Sequence, residues 1–244
     1  IIDTKLDILG KEKFDNINFN FSYENQNLLI TNLKFKYNEI DFKSKKIKSH
    51  IKKNLINIEG DFQNKLDNKL LSKFSDIPIY QFLDKNNILL SNSNFKIIFN
   101  KKFKIKDYKI ESKIDLKKLT LTIKNNHIKN YFTDFKNQIT LTGGSLNFNL
   151  NNKNKINLKI KSKYFLNENQ KPKNILIKYS KLNLFEKYEL DIDISENNLV
   201  IDEINFTKNL DEKLFLNLIF TKNKNNYKLK DLKVFNKRNS FNAK

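Results

Sequence analysis

Apolar and polar residues alternate along most of this chain. Ile17, Phe19, Phe21 and Tyr23 take every second position before the polar stretch 24–27, and Leu29, Thr31, Leu33, Phe35 and Tyr37 follow. The same period returns at Ile40 with Phe42, Ile47 with Ile51, and over 56–62, 95–99, 103–105, 108–116, 119–123, 139–141 and 146–150. It continues over 156–160, 175–179, 188–194, 199–206, 214–220 and 227–235. Strict alternation over four to eight residues marks a strand with one buried face. Asn- and Lys-rich turns such as 151–155 and 223–226 separate the segments. Neighbouring strands joined in this way predict an antiparallel meander.

Two stretches refine the pattern. In ITLTGGSLNFNL (139–150) a Gly143-Gly144 turn pairs Leu141 with Leu146 and Ile139 with Phe148, which predicts a two-residue hairpin with matched apolar faces. In ESKIDLKKLTLTIKN (111–125) Ile114 and Leu116 alternate, Lys117 and Lys118 interrupt, and Leu119, Leu121 and Ile123 resume. Elsewhere the period changes to four. Leu66, Leu70 and Phe74, with Leu71 beside them and Pro78 beyond, predict a short amphipathic helix over about 64–75. Ile128, Phe132 and Phe135 share a side of a second, weaker helical pattern over 127–135. No stretch rich in Gly, Pro or Ser divides the chain. The expected fold is all-β: residues 1–244 form one continuous β-rich segment, an extended antiparallel meander curved into an open groove with one short amphipathic helix.

Composition agrees with strands, since the only Ala is Ala243 while Ile and Phe abound. The net charge of +20 raises nucleic acid as a partner. Against that, Arg238 is the only Arg, although Arg is the residue that clamps phosphate with two bonds, and the Lys residues are dispersed along outward strand positions. In 95–110 Lys interleaves with Phe95, Ile97 and Phe99 on one face, and Ile97 cannot stack on a base. No nucleic-acid partner is expected. Cys is absent, which removes disulfides and thiolate chemistry. No apolar run approaches the roughly 20 residues that span a bilayer. The chain opens on Ile1-Ile2, contains no Met and stops at Asn242-Ala243-Lys244, and is expected to be an internal piece of a longer protein.

Candidate chemistry is sparse. His50 and His127 are far apart, and no glycine-rich phosphate loop occurs. In YELDIDIS (188–195) alternation sends Glu189, Asp191 and Asp193 to one face. Three such carboxylates suit a hard cation such as calcium, or Lys residues on a neighbouring strand. The abundance of Lys favours the second. No enzymatic activity, metal or cofactor is expected.

A sheet with one apolar face packs on a second sheet, closes into a barrel, lies under helices, or is covered by a ligand. The stretches IDLKKLTLTIKNNHIKN (114–130), KINLKIKSKY (155–164) and YELDIDISENNLVIDEINFTKN (188–209) have the cadence of repeated strand pairs in the AsmA-like proteins of the YhdP/TamB type, which this chain resembles over most of its length. The resemblance implies a periplasmic protein, anchored in the inner membrane by an N-terminal segment, that carries phospholipid in a hydrophobic β-groove toward the outer membrane and supports outer-membrane biogenesis. Phospholipid is then the expected partner, together with membranes reached through segments not present here. The residues expected to line the groove are Ile114, Leu116, Leu119, Leu121, Ile123, Leu146, Phe148, Leu158, Ile160, Leu190, Ile192 and Ile194. The competing expectation is a structural or adhesive β-scaffold in which these residues form an ordinary core.

Overall fold

The structure, a computed structural model, describes residues 6–8, 12–37, 40–66, 89–123, 127–153, 155–202, 205–210, 212–224, 226–236 and 240–243. Strands β1 (Leu6–Ile8), β2 (Glu12–Glu24), β3 (Asn27–Tyr37), β4 (Ile40–Lys52) and β5 (Leu55–Leu66) lead to β6 (Leu89–Asn100) and β7 (Ile105–Asp115). β8 (Lys118–Thr122) and a short helix, α1 (His127–Tyr131), precede β9 (Gln138–Asn151) and β10 (Lys155–Phe165). β11 (Lys173–Leu182) and β12 (Phe185–Asp193) come next, then the short β13 (Leu199–Ile201) and β14 (Phe206–Lys208). β15 (Phe215–Asn223), β16 (Asn226–Phe235) and β17 (Ser240–Ala243) complete the chain.

Among the described residues fifteen strands form a single antiparallel sheet in nearly sequential order, and β13 with β14 form a separate two-stranded ribbon. β1 and β17 stand at the two ends of the order, so the sheet is not closed into a barrel. The meander follows from turn chemistry. Asn25 and Gln26, and Lys53 and Asn54, all have positive φ, as two-residue hairpins with the right-handed strand twist require, and Asn tolerates that region better than most residues.

The predicted Gly143-Gly144 hairpin is not present. The two glycines lie inside β9, which runs unbroken over 14 residues. Gly143 (φ 60°) is the extra residue of a bulge against β10, where the register shifts between Ser162 and Lys163. Opposite them, on the other side of β9, lies the Lys117-Lys118 interruption between β7 and β8. Leu116 N–H donates to the Gly144 carbonyl (3.0 Å) and Gly143 N–H to the Lys117 carbonyl (3.2 Å). Each irregularity reverses the side-chain parity of its strand, so Leu141 and Leu146, and likewise Leu116 and Leu119, face the same side. A Cβ on Gly144 would lie 2.1 Å from the Lys161 carbonyl oxygen, so only glycine fits there.

Other expectations shift in the same way. Positive φ at Asn32 reverses parity in β3, so Leu28 and Ile30, rather than Leu29 and Thr31, stand in the row of Leu33, Phe35 and Tyr37. Phe103 belongs to the β6/β7 turn and not to a strand, and the single strand expected over 199–206 is the β13–β14 hairpin. The helix expected over about 64–75 lies largely outside the described residues, and its first positions finish β5. The pattern over 127–135 gives α1 with Phe132 and Phe135 just beyond it.

Candidate apolar face

Cross-strand register places one apolar side of the sheet in continuous rows. One row passes from Ile114 through Leu146, Ile160, Ile177, Leu190 and Leu218 to Leu232. Its neighbour passes from Phe148 through Leu158, Tyr179, Tyr188 and Phe220. Residues paired across strands share a face, so these rows follow from strand pairing alone.

The twelve residues expected to line a groove all lie in this apolar system. Ile114, Leu116, Leu119, Leu121, Leu146, Leu158 and Ile160 are buried in its main cluster, with Leu119 and Ile160 at 0% exposure. Ile123, Phe148, Leu190 and Ile192 are half-buried against it. Ile194 is buried in an adjoining cluster with Leu199 and Leu214, joined to the first through Ile192 and Phe132. The chain itself covers the eight buried positions. Phe135 is buried among them and Phe132 packs alongside.

A polar cap holds this cover at one edge. The Tyr164 hydroxyl lies 2.7 Å from Asn197 Oδ1 and 2.9 Å from the Asp193 carbonyl, and burial, with Asp193 nearby, raises its pKa. Gln170 Oε1 accepts from the N–H groups of Leu166 and Asn167, and Gln170 Nε2 donates to the Glu196 carbonyl. Asn198 N–H donates to the Asp134 carboxylate just beyond α1. Lys208, 1% exposed, donates to the carbonyls of Ser195, Asn197 and Asn209 at 3.0, 2.8 and 2.8 Å. Three carbonyl acceptors replace the water a buried ammonium gives up. Nothing in the sequence marks Lys208 among its many lysines.

Over β3–β6 the same face is built differently. Phe35 stacks on Phe42 (5.0 Å), Phe42 meets Phe62 (6.0 Å), and Phe62 meets Phe95 (5.9 Å). These rings are half-buried, as are Ile30, Ile47, Ile58 and Ile97, while Phe21 in β2 is 68% exposed. Several of the buried positions here are polar: Ser44, Asn64, Ser91 and Ser93. Ser93 Oγ bonds to Ser112 Oγ (2.7 Å) and lies 3.1 Å from Ser91 Oγ. Ser44 Oγ and Asn64 Oδ1 have no partner among the described residues.

On the outward face the three carboxylates go to separate partners. Glu189 pairs with Lys178 across the strands (2.8 Å) and with Lys187 on its own strand (2.7 Å). These bonds lower its pKa, and its bond to Lys178 raises that of the lysine. Asp191 accepts from Asn217 and Asp193 from Ser195. Among the described residues no group of three His, Cys, Asp or Glu side chains converges on a cation position. A hollow of about 750 Å³ on this face is lined by Lys159, Lys161, Lys163, Asp191, Asp193 and Phe215 among others, and it lies across the sheet from the apolar rows. No protein-family model matches the chain, and neither does any curated protein or solved structure.

Proposed function

We propose that the chain is a segment of an AsmA-like bridge protein that holds phospholipid acyl chains against the apolar face of its open sheet, between inner and outer membranes. In this reading it works in the periplasm, held to the inner membrane by an anchor elsewhere in the protein, and takes part in outer-membrane biogenesis. The observation that carries the reading is the half-exposed aromatic and aliphatic face of β2–β6, which extends the rows of the sealed cluster but has only partial cover. Removing apolar area from water contributes about 25 cal/mol per Å² whichever partner supplies the cover, and acyl chains match a long, featureless apolar strip. Fourteen strands in line at about 4.8 Å give a path on the order of 65 Å.

The competing β-scaffold reading draws on the eight groove candidates that the chain buries by itself. Native mass spectrometry of detergent-free protein, with lipid extraction, separates the two. Bound phospholipid is expected, and Ile58→Asp with Ile97→Asp should abolish it while the thermal melt of the sealed cluster persists. Lipid-free protein from a phospholipid-rich host overturns the acyl-chain reading in favour of the scaffold.

A further inference from the structure

The turns of a meander fall alternately at two edges of the sheet. One edge carries α1, the 166–172 loop and the β13–β14 ribbon. The other carries the plain hairpin turns β2/β3, β4/β5, β6/β7, β9/β10, β11/β12 and β15/β16. Solvent-exposed large apolar side chains gather at this plain edge. Phe103 (74% exposed) and Ile105 (58%) lie at the β6/β7 turn, and Leu182, Leu184 (60%) and Phe185 at the β11/β12 turn. Exposed lysines accompany them: Lys101, Lys102 and Lys104 at β6/β7, and Lys153 and Lys155 at the intervening β9/β10 turn. Segments 100–105, 151–155 and 182–185 contain no Asp or Glu.

Single exposed apolar residues are ordinary on any protein. At the β6/β7 tip they stand among lysines, and the intervening β9/β10 tip adds two more, with Lys155 directly across the strands from Leu182, which makes a surface with two matched demands. Apolar tips gain by entering the boundary between headgroups and acyl chains, and lysines gain beside lipid phosphates. Consecutive turns are two strands apart, on the order of 10 Å, so the three tips span roughly 20 Å. Ile105, Leu182 and Leu184 offer no ring for a base to stack on, which disfavours single-stranded nucleic acid as the occupant.

We propose that this edge docks on a membrane surface containing anionic phospholipid, with Phe103, Ile105, Leu184 and Phe185 entering the interface and Lys101, Lys102 and Lys104 meeting the phosphates. The proposal is independent of the acyl-chain reading, since a β-scaffold without bound lipid can dock in the same way.

The chain has no Trp, so Phe103→Trp supplies a single fluorescent reporter, and Phe241→Trp, exposed on β17, supplies a control. Each is titrated with vesicles of phosphatidylcholine alone or with about a third phosphatidylglycerol. A blue shift of the Phe103→Trp signal with anionic vesicles only, reversed by salt and absent from the control, is the expected result. In the same assay Lys101→Glu/Lys102→Glu/Lys104→Glu should weaken binding at least about a hundredfold. Leu184→Ser/Phe185→Ser should weaken it about tenfold or more. All these positions are exposed, and unchanged circular dichroism and melting confirm an intact fold. Equal shifts with neutral vesicles, no shift with either kind, or indifference to the lysine substitutions overturns the proposal.

Discussion

Strands β7–β12 and β2–β6 belong to one sheet and present the same alternation on the same face, but they use it differently. In β7–β12 most buried positions are apolar, among them Ile114, Leu146, Leu158, Ile160 and Tyr179, although Thr140 and Ser162 are buried too. In β4–β6 many are Ser44, Asn64, Ser91 and Ser93, and most of the large apolar groups remain half-open. A buried hydroxyl or amide without a partner costs about 1–3 kcal/mol, so Ser44 and Asn64, whose Oγ and Oδ1 have no partner among the described residues, weaken the N-terminal strands as a self-contained core. Alternation thus decides which side of a strand is apolar, while cover depends on what the connections bring. In the C-terminal half the connections bring Phe132, Phe135 and Lys208.

The widest separation between the regions should come from truncation. Leu119→Ala, at a fully buried site, is expected to lose about 3–4 kcal/mol, whereas Ile58→Ala in the half-open ladder should lose about 1–2 kcal/mol. Chemical denaturation measures both, and equal losses would collapse the distinction. Next comes the cap. Lys208→Met leaves the buried carbonyls of Ser195 and Asn197 without this donor and is expected to cost about 3 kcal/mol, and hydrogen exchange should rise first around residues 194–199. Gly144→Ala should cost about 2–3 kcal/mol, because the Lys161 backbone must move to admit a methyl group. Gly143→Ala, with open space around it, should lose only about 1 kcal/mol for its left-handed backbone.

A gain is expected in the other region. Ser44→Ala removes a buried hydroxyl that has no partner among the described residues and should stabilise by about 1 kcal/mol, read as a higher denaturation midpoint with an unchanged slope. The smallest effect is a pH dependence confined to the sealed half. Burial raises the pKa of Tyr164, and burial with the bond to Glu186 raises that of Tyr188, each from 10.0. Their contribution is complete below pH 10 and declines above it, because the unfolded chain then releases protons that the folded chain retains. Melting temperature should therefore fall above pH 10, and Tyr164→Phe should flatten that fall.

Strands were the most legible part of this sequence, because a period of two needs only local information. Gly143-Gly144 was legible as an irregularity but not as a particular one. A glycine pair serves a hairpin turn and a bulge equally well, and the choice depended on β8 and β10, which flank β9 but lie outside the local window. The apolar face was legible residue by residue, yet its cover was not. Phe132 and Phe135 stand in a short stretch of weak periodicity, and Lys208 resembles every other lysine until its three carbonyl partners are in place. Of the exposed tip residues, Phe103 stands in the alternation over 103–105 and so reads as a strand position, while Leu184 lies outside every alternating segment.

Sequential pairing also dictates how such a sheet can assemble. Each hairpin needs only the strand just before it, so ordering can proceed as the chain is delivered, with small loop-closure entropy at each step. Among the described connections two steps depart from this rule. β9 must reach past α1 to meet β7 and β8, and β15 must reach past the β13–β14 ribbon to meet β12. A chain threaded through a narrow pore would therefore zip up hairpin by hairpin and pause at those two places, where the elements that later seal its interior have first to emerge.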